Sequence, residues 1–476
     1  MSLSPALPLL DEIDVGRVDV APIDCRTALA APVTASDPRL RIDRIIALID
    51  DLLTEQVNAV IHHPRFQALE ASWRSLHRLV WTASVNSRIK IRVLDLRWAE
   101  LCRDLERTIE FDQSHLFRKI YEEEFGMPGG EPFGLLIGDY HIVHRRSPSR
   151  STDDVAAIRE MSRIAAAAFA PFIIGITPEF FGLDSFAELC LPLDFPAIFQ
   201  LPEYLRWRSF QDTEDSRFVG LVLPRILARQ TYRDDDSRVD GFRFEEECGS
   251  HNQLLWGSGA YAFAGVVMRA FAESGWFSHI RGGILGVEEG GLVPELEIPS
   301  FETDRKGVAT IFPAEVTIED RQEAELGELG FIPMVRANGT SLAMFCGNAS
   351  AQRAKSYDRL AATVNARLSS MLQYILCVCR FAHYVKVIGR ETIGSVKSAA
   401  EVEQRLQSWI SQFVNVNEHA SLATMAQHPL REARIEIKEL PRKPGAYYCT
   451  ASLKPHFQLE RVETSFRLVT ELAAAG

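Results

Sequence analysis

Two amphipathic helical patterns, joined at His62-His63-Pro64 and running from Asp37 to Val80, constrain the fold more than any other stretch. Asp37 offers an N-cap, and Pro38 suits the first helical position, where its missing N–H costs nothing. Ile42, Ile46, Ile49, Leu53, Val57 and Val60 then recur at steps of three or four, which places them on one face. Pro64 stops that pattern by pushing the residue before it out of the α region. Phe66, Leu69, Trp73, Leu76 and Val80 repeat the spacing, with Glu70 and Arg74 four apart and able to pair on the polar side. The expected product is a helical hairpin with a large aromatic anchor, which needs another surface to cover it.

The rest of the 476-residue chain is long enough for about three domain-sized units and a sizeable core. Its 46% hydrophobic and 24% charged content are those of a globular protein. A net charge of −12 disfavours nucleic acid, which requires a basic footprint. Eight cysteines are scattered without a framework, and Cys377 and Cys379, two apart in a helical context, do not face each other. Reduced, mostly buried thiols in a cytosolic protein follow. No secretory signal is visible, and the apolar run Leu254 to Phe271 is interrupted by glycines, so it reads as a buried helix rather than a membrane span.

Residues 1–36 hold four prolines and read as a flexible arm. Residues 37–80 form the hairpin, 81–426 a mixed α/β body, and 427–476 a β segment. Within the body, Ile89–Val93 alternates as a half-exposed strand. Ser114–Phe125, Asp153–Phe169, Leu254–Glu273, Asp320–Glu328 and Glu401–Phe413 read as helices, and Ser356–Ile388 as the longest one. Phe133–Asp139, Phe172–Ile176, Arg217–Leu223, Ala314–Ile318, Phe331–Val335 and Leu342–Cys346 read as strands, and their alternation with helices argues for some parallel pairing.

No set of residues assembles an active site. The glycines around Arg281–Gly286 lack the lysine and Ser/Thr of a phosphate loop, and Gly257-Ser258-Gly259 lacks the spacing of a nucleophile elbow. His62-His63 belongs to no set with metal-ligand spacing. Asp139 closes an apolar strand without a second acid or lysine beside it, and His383 reads as a core histidine. No cofactor or metal is expected.

The tail is the informative part. Arg434–Glu439, Ala446–Leu453 and Val462–Leu472 are short strands at a chain terminus, and such edges carry N–H and C=O groups able to pair with another chain. Tyr447, Cys449, Ala451 and Leu453 would point one way, Tyr448, Thr450 and Ser452 the other. Folding back onto their own core is the alternative.

The hairpin sequence IDRIIALIDDLLTEQVNAVIHHPRFQALEASWRSLHRLV resembles the signature of the large sheath subunit of bacterial type VI secretion systems, the TssC (VipB, EvpB, ImpC) family. YEEEFGMPGGEPFGLLIGDY, APFIIGITPEFFGLDSFAEL, DSRFVGLVLPRILAR, RFAHYVKVIGRETIGS and KPHFQL match in order, so the resemblance spans roughly Asp37 to Leu472. It implies a non-enzymatic sheath subunit of mixed α/β fold, with an N-terminal helical hairpin and C-terminal strands for intersubunit sheet pairing. It further implies a TssB/VipA-type small-subunit partner, an Hcp-type inner tube inside the sheath, a baseplate, a ClpV-type AAA+ ATPase that recycles the contracted form, and a place in the bacterial cytoplasm, with no nucleic acid and no membrane insertion. By this resemblance Ile42, Ile46, Ile49, Leu53, Val57, Phe66 and Trp73 contact the small subunit. Tyr447, Tyr448, Cys449, Thr450, Ala451, Leu453, Phe466 and Leu468 join protomers; Asp320, Arg321 and Glu325, on a charged helix that can slide on a wet surface, suit the tube-facing side, with a solvated outer face as the alternative. The short arm and the compact Asn338–Ser356 region depart from the family pattern and leave room for a specialised paralogue or a phage-tail-type component. A cytosolic α/β hydrolase is the rival from another class, and the missing nucleophile and metal motifs speak against it.

Overall fold

The structure is a computed structural model and describes residues 38–84, 88–127, 129–148, 150–234, 242–248, 253–277, 279–283, 290–293, 296–299, 312–337, 340–393, 399–417, 420–439, 447–456 and 466–472. The N-terminal arm, Asp37 and the centre of the glycine-rich 282–291 stretch, Gly286 included, lie outside the described residues. The chain divides into two compact units, one of residues 1–70 with 229–255 and one of residues 71–228 with 256–476.

The first unit holds helix α1 (Pro38–Ile61) and the first turns of helix α2 (Pro64–Ser84), grouped with the irregular segment that begins at Arg229. The second unit continues α2 and adds α3 (Trp98–Arg107), α4 (Asp154–Ala168), α5 (Phe195–Gln200), α6 (Leu205–Gln211), α7 (Gly259–Ser274), α8 (Asp320–Glu328), α9 (Leu360–Ser369), α10 (Leu372–Ile393), α11 (Ala399–Ser411) and α12 (Leu422–Gln427). Its strands are β1 (Leu136–Ile142), β2 (Phe172–Ile176), β3 (Val219–Leu223), β4 (Ile226–Leu227), β5 (Trp256–Gly257), β6 (Leu292–Val293), β7 (Ile332–Arg336), β8 (Ala343–Phe345), β9 (Leu430–Glu439), β10 (Tyr447–Pro455) and β11 (Phe466–Leu472).

A six-stranded sheet of order β1-β2-β3-β7-β8-β6 forms the centre of this unit. Its first four strands are parallel, and β8 and β6 are added antiparallel. The residues of β2 and β3 are buried throughout, as expected of strands covered on both faces. Alternation sends Phe172, Ile174, Ile176, Val219 and Leu221 into one core with α4, and Ile173 and Val222 into another with α7 and the start of α10. Gly220 makes the second packing possible, because a Cβ there would lie 2.6 Å from Leu372 Cδ1 and 2.7 Å from Ile173 Cδ1. The first core is closed by aromatic rings, with Trp207 edge-on to Phe180 at 5.0 Å and Tyr204 donating its hydroxyl to Phe180 O at 2.9 Å.

A third core belongs to the tail. There α10 and α11 cover one face of an antiparallel sheet of order β11-β10-β9, with Phe381, Val385, Leu406, Cys449, Ala451 and Leu453 inside. Trp276 stacks on Phe381 at 4.1 Å.

Four local expectations differ. Ile89–Val93 is extended but joins no strand. Ala314–Ile318 contributes only an isolated bridge from Ala314 to Ile226. After Arg118 the expected helix over Ser114–Phe125 continues as a π-helix to Gly126. The long helix breaks at Ser370–Met371, because Leu372 N–H is given to Asn348 O at 2.9 Å and Ser370 O accepts Ser350 N at 2.9 Å. A neighbouring loop takes backbone groups that an unbroken helix would use internally.

Candidate functional site

Helices α1 and α2 each carry large apolar residues that are exposed. Ile42, Ile46, Ile49, Leu53 and Val60 on α1 are exposed, Ile42 at 56%, and Val57 is half-buried. On α2, Phe66, Leu69, Trp73, Val80 and Trp81 are exposed, Trp73 at 63%. The buried face of α2 consists instead of Ala71, Ser75 and Leu79. Short side chains are required there, since a Cβ on Gly257 of β5 would lie 2.8 Å from Ser75 Oγ. Isoleucine, leucine, phenylalanine and tryptophan recurring on exposed helical faces mark candidate interaction surfaces.

A charge cluster ties the hairpin's first unit together. The Arg229 guanidinium donates to Glu70 Oε1 at 2.8 Å and, in a fork, to Glu246 Oε2 at 2.5 Å and Oε1 at 3.1 Å. It lies 4.3 Å from the Tyr232 ring centroid, and Tyr232 N donates to Glu246 Oε2 at 2.9 Å. Burial would raise the Glu246 carboxyl, but the hydrogen bonds from Arg229, Tyr232 N–H and His62 outweigh it and hold the group below its ordinary range. Glu70 thus engages Arg229, a partner that the sequence does not show. Residues this far apart in sequence carry no local signal of their meeting.

The same cluster brings His62, Glu246 and Cys248 together, with ligand atoms within 4.8 Å of one another, a set the sequence spacing does not reveal. Each Glu246 oxygen already accepts two hydrogen bonds, from Arg229 and Tyr232 N–H at Oε2 and from Arg229 and His62 at Oε1. Burial, then the charge of Glu246, pushes the Cys248 thiol up to about 11, which leaves it protonated. The arrangement is an arginine-centred lock.

The other polar candidates have structural roles. Asp139 lies within β1, hydrogen-bonded to Ser72 and Tyr261, and burial raises its carboxyl above the ordinary range. Ser258 caps α7 by accepting from Ala260 N. His383 is a buried neutral imidazole bonded to Ala168 O at 2.9 Å, and the Cys377 thiol is pushed up to about 12 by burial.

The remaining predicted residues fall on two surfaces. On α8, Asp320 and Arg321 are exposed, and Arg321 pairs with Glu325 one turn on at 2.9 Å. In the C-terminal sheet, β10 is the middle strand, so Tyr447–Leu453 are paired on both sides within the chain. Cys449, Ala451 and Leu453 are buried, Tyr448 is exposed, and Tyr447 and Thr450 are half-buried. Phe466 stands opposite Leu453 and Leu468 opposite Ala451, on the edge strand β11.

Residues 43–352 match the VipB family, described as the EvpB tail sheath N-terminal domain, and residues 361–472 match the EvpB tail sheath gpW/gp25-like domain. The type VI secretion system sheath protein TssC1 of Pseudomonas aeruginosa is 42% identical over 446 residues, covering 93% of this chain and 88% of that protein. Among solved structures, a chain of the anti-feeding prophage baseplate aligns with a TM-score of 0.34 and 10% identity over 75% of each chain. A sheath tail protein from Desulfitobacterium hafniense aligns at 0.29 and 10% identity, over 66% of this chain and 60% of that one. With both sheath domains matched in order along nearly its whole length, the chain belongs to the VipB/EvpB (TssC) family of type VI secretion tail-sheath proteins.

Proposed function

We propose that this chain, as the large subunit of a contractile sheath, binds a TssB-type small subunit through the outward stripe of its α1–α2 hairpin. The single observation behind this reading is the exposure of Ile42, Ile46, Ile49, Leu53, Phe66 and Trp73 along a folded, charge-locked hairpin. Fully burying one such side chain contributes about 1.5–3 kcal/mol, so a stripe of six is enough for stable association after the entropic cost. The heterodimers then polymerise around an Hcp-type inner tube on a baseplate in the bacterial cytoplasm. The C-terminal sheet, with Tyr447, Tyr448, Cys449, Thr450, Ala451, Leu453, Phe466 and Leu468, joins protomers.

The charged helix α8, with Asp320, Arg321 and Glu325, faces the tube, where a hydrated surface slides more readily than an apolar one. A ClpV-type AAA+ ATPase recycles the contracted form. The chain does no chemistry of its own: work comes from an extended lattice relaxing to a better-packed one, and a helical polymer needs heterologous contacts rather than a two-fold patch. Co-expression with the small subunit followed by negative-stain microscopy tests this reading. Tubes are expected, and tubes absent from a mixture of folded subunits would refute it.

A further inference from the structure

Lys386, half-buried on α10, sits against aromatic rings rather than a carboxylate. Its Nζ lies 3.7 Å from the Phe125 ring centroid and 4.7 Å from that of Tyr121. Nζ also donates to the Tyr121 hydroxyl at 3.1 Å. Ring faces attract a cation, but they also displace water that would otherwise solvate it.

The rings are fixed independently of the lysine. Tyr121 and Phe125, four apart on the π-helical segment Arg118–Gly126, meet edge to face at 5.3 Å. Phe117 stacks on Tyr121 at 4.8 Å. Phe125 is almost fully buried and packs edge-on against Phe169 and His383, at 5.9 and 5.4 Å. Short π-helical segments within helices frequently coincide with functional sites.

The charge that bears on Lys386 has its own sign. Arg390, one turn further along α10, donates to the carbonyls of Phe125, Gly126 and Met127 at 3.4, 3.3 and 2.7 Å. It therefore caps the last carbonyls of the π-helical segment and is held beside the lysine. His383, one turn back, is a neutral imidazole and supplies no counter-charge. Burial, and then the charge of Arg390, bring the Lys386 amine down to about 8. Desolvation and a neighbouring cation are the two conditions that convert a lysine into a nucleophile.

We propose that Lys386 is an acylation site that takes its acyl group from a small acyl phosphate. The Nζ lone pair attacks the acyl carbon, and the bond from that carbon to the bridging phosphate oxygen breaks. The nitrogen gives up a proton to solvent as the amide forms, and inorganic phosphate leaves. An acyl phosphate is the donor class that fits, because Arg390 places positive charge where the donor's anionic half approaches. The resulting amide is neutral, so acylation also ends the cation–ring attraction between α10 and the π-helical segment.

Treatment of the full folded chain with acetyl phosphate, followed by peptide mass spectrometry, tests this. At about pH 7.5 Lys386 is acetylated on the order of tenfold faster than the exposed Lys119 and Lys355. Its rate rises with pH and levels off above a midpoint near 8. R390Q, which still donates to the carbonyls but carries no charge, moves that midpoint upward and slows acetylation several-fold, whereas R390K keeps the wild-type profile. Acetylation of Lys386 no faster than at the two exposed lysines overturns the proposal. So does a rate that keeps climbing to about pH 10, as an ordinary lysine's would. An R390Q profile that matches the wild type overturns the part given to Arg390, and the wild-type comparison decides the site whether or not R390Q folds.

Discussion

The α1–α2 hairpin and the C-terminal sheet solve one problem in opposite ways. Each carries an apolar surface with a regular period. At the tail, Cys449, Ala451 and Leu453 of β10 are covered by α10 and α11 of the same chain. On α1, Ile42, Ile46, Ile49 and Leu53 are exposed among the described residues. Periodicity therefore reports that a face is apolar without saying whose surface buries it. The free energy of the tail's apolar residues is already realised on folding, whereas under the proposed function that of the exposed α1 residues is realised on association.

The sharpest way to break this contrast is one substitution in each region. Phe381→Ala, beneath the tail sheet and against Trp276, should cost about 3–5 kcal/mol of stability by leaving a cavity, read by urea denaturation. Ile46→Asp on the hairpin should change stability by less than about 0.5 kcal/mol yet abolish co-purification of the small subunit. Equal stability effects would erase the distinction. Arg229→Ala should cost about 3–5 kcal/mol, since it takes the guanidinium from the buried Glu246 carboxylate in the first unit. Arg229→Lys should restore part of this, a single ammonium being unable to form the fork.

A smaller effect distinguishes the body and tail by pH. Burial holds His141 and His383 down at about 4, with the charges of Arg225 and Arg150 adding to it for His141. The unfolded chain takes up these protons near the ordinary histidine value of about 6.5. Stability should thus be full above that value and fall by on the order of 2–3 kcal/mol per histidine as pH drops toward 4. His383→Gln should flatten that slope in a denaturation series from pH 4 to 7. The smallest effect belongs to α8, where Arg321→Gln removes a solvent-exposed pair that water and salt screen. A thermal melt should move little, and any loss of function should appear only as slower or incomplete contraction.

Much of this was legible because its determinants are local. The buried run Phe172–Ile176, the capped helix after Asp153 and the alternation of β10 follow from period and turn chemistry over a few residues. What escaped depends on distant partners. Ser370–Met371 breaks a helix that period alone would continue, because Asn348 takes the Leu372 amide. On α2 the period marks the large apolar stripe but not the face that the chain itself buries, for which close approach of β5 selects Ala71 and Ser75. The Arg229 lock and the hydrogen bonds between β9 and the side chains of Gln407 and Glu403 join segments with no shared motif, so only the fold reveals them. The expectation that the terminal strands lack partners of their own does not hold for β10, which is paired on both sides within the chain.

Side-chain footprinting of the folded chain, with and without the small subunit, tests the central claim most directly. The account predicts that labelling at Ile42, Ile46, Ile49, Leu53, Phe66 and Trp73 falls sharply on addition of the partner, while exposed Tyr357 and Val416 stay as reactive as before. Labelling of the hairpin stripe that is unchanged in a complex shown to have formed would contradict it.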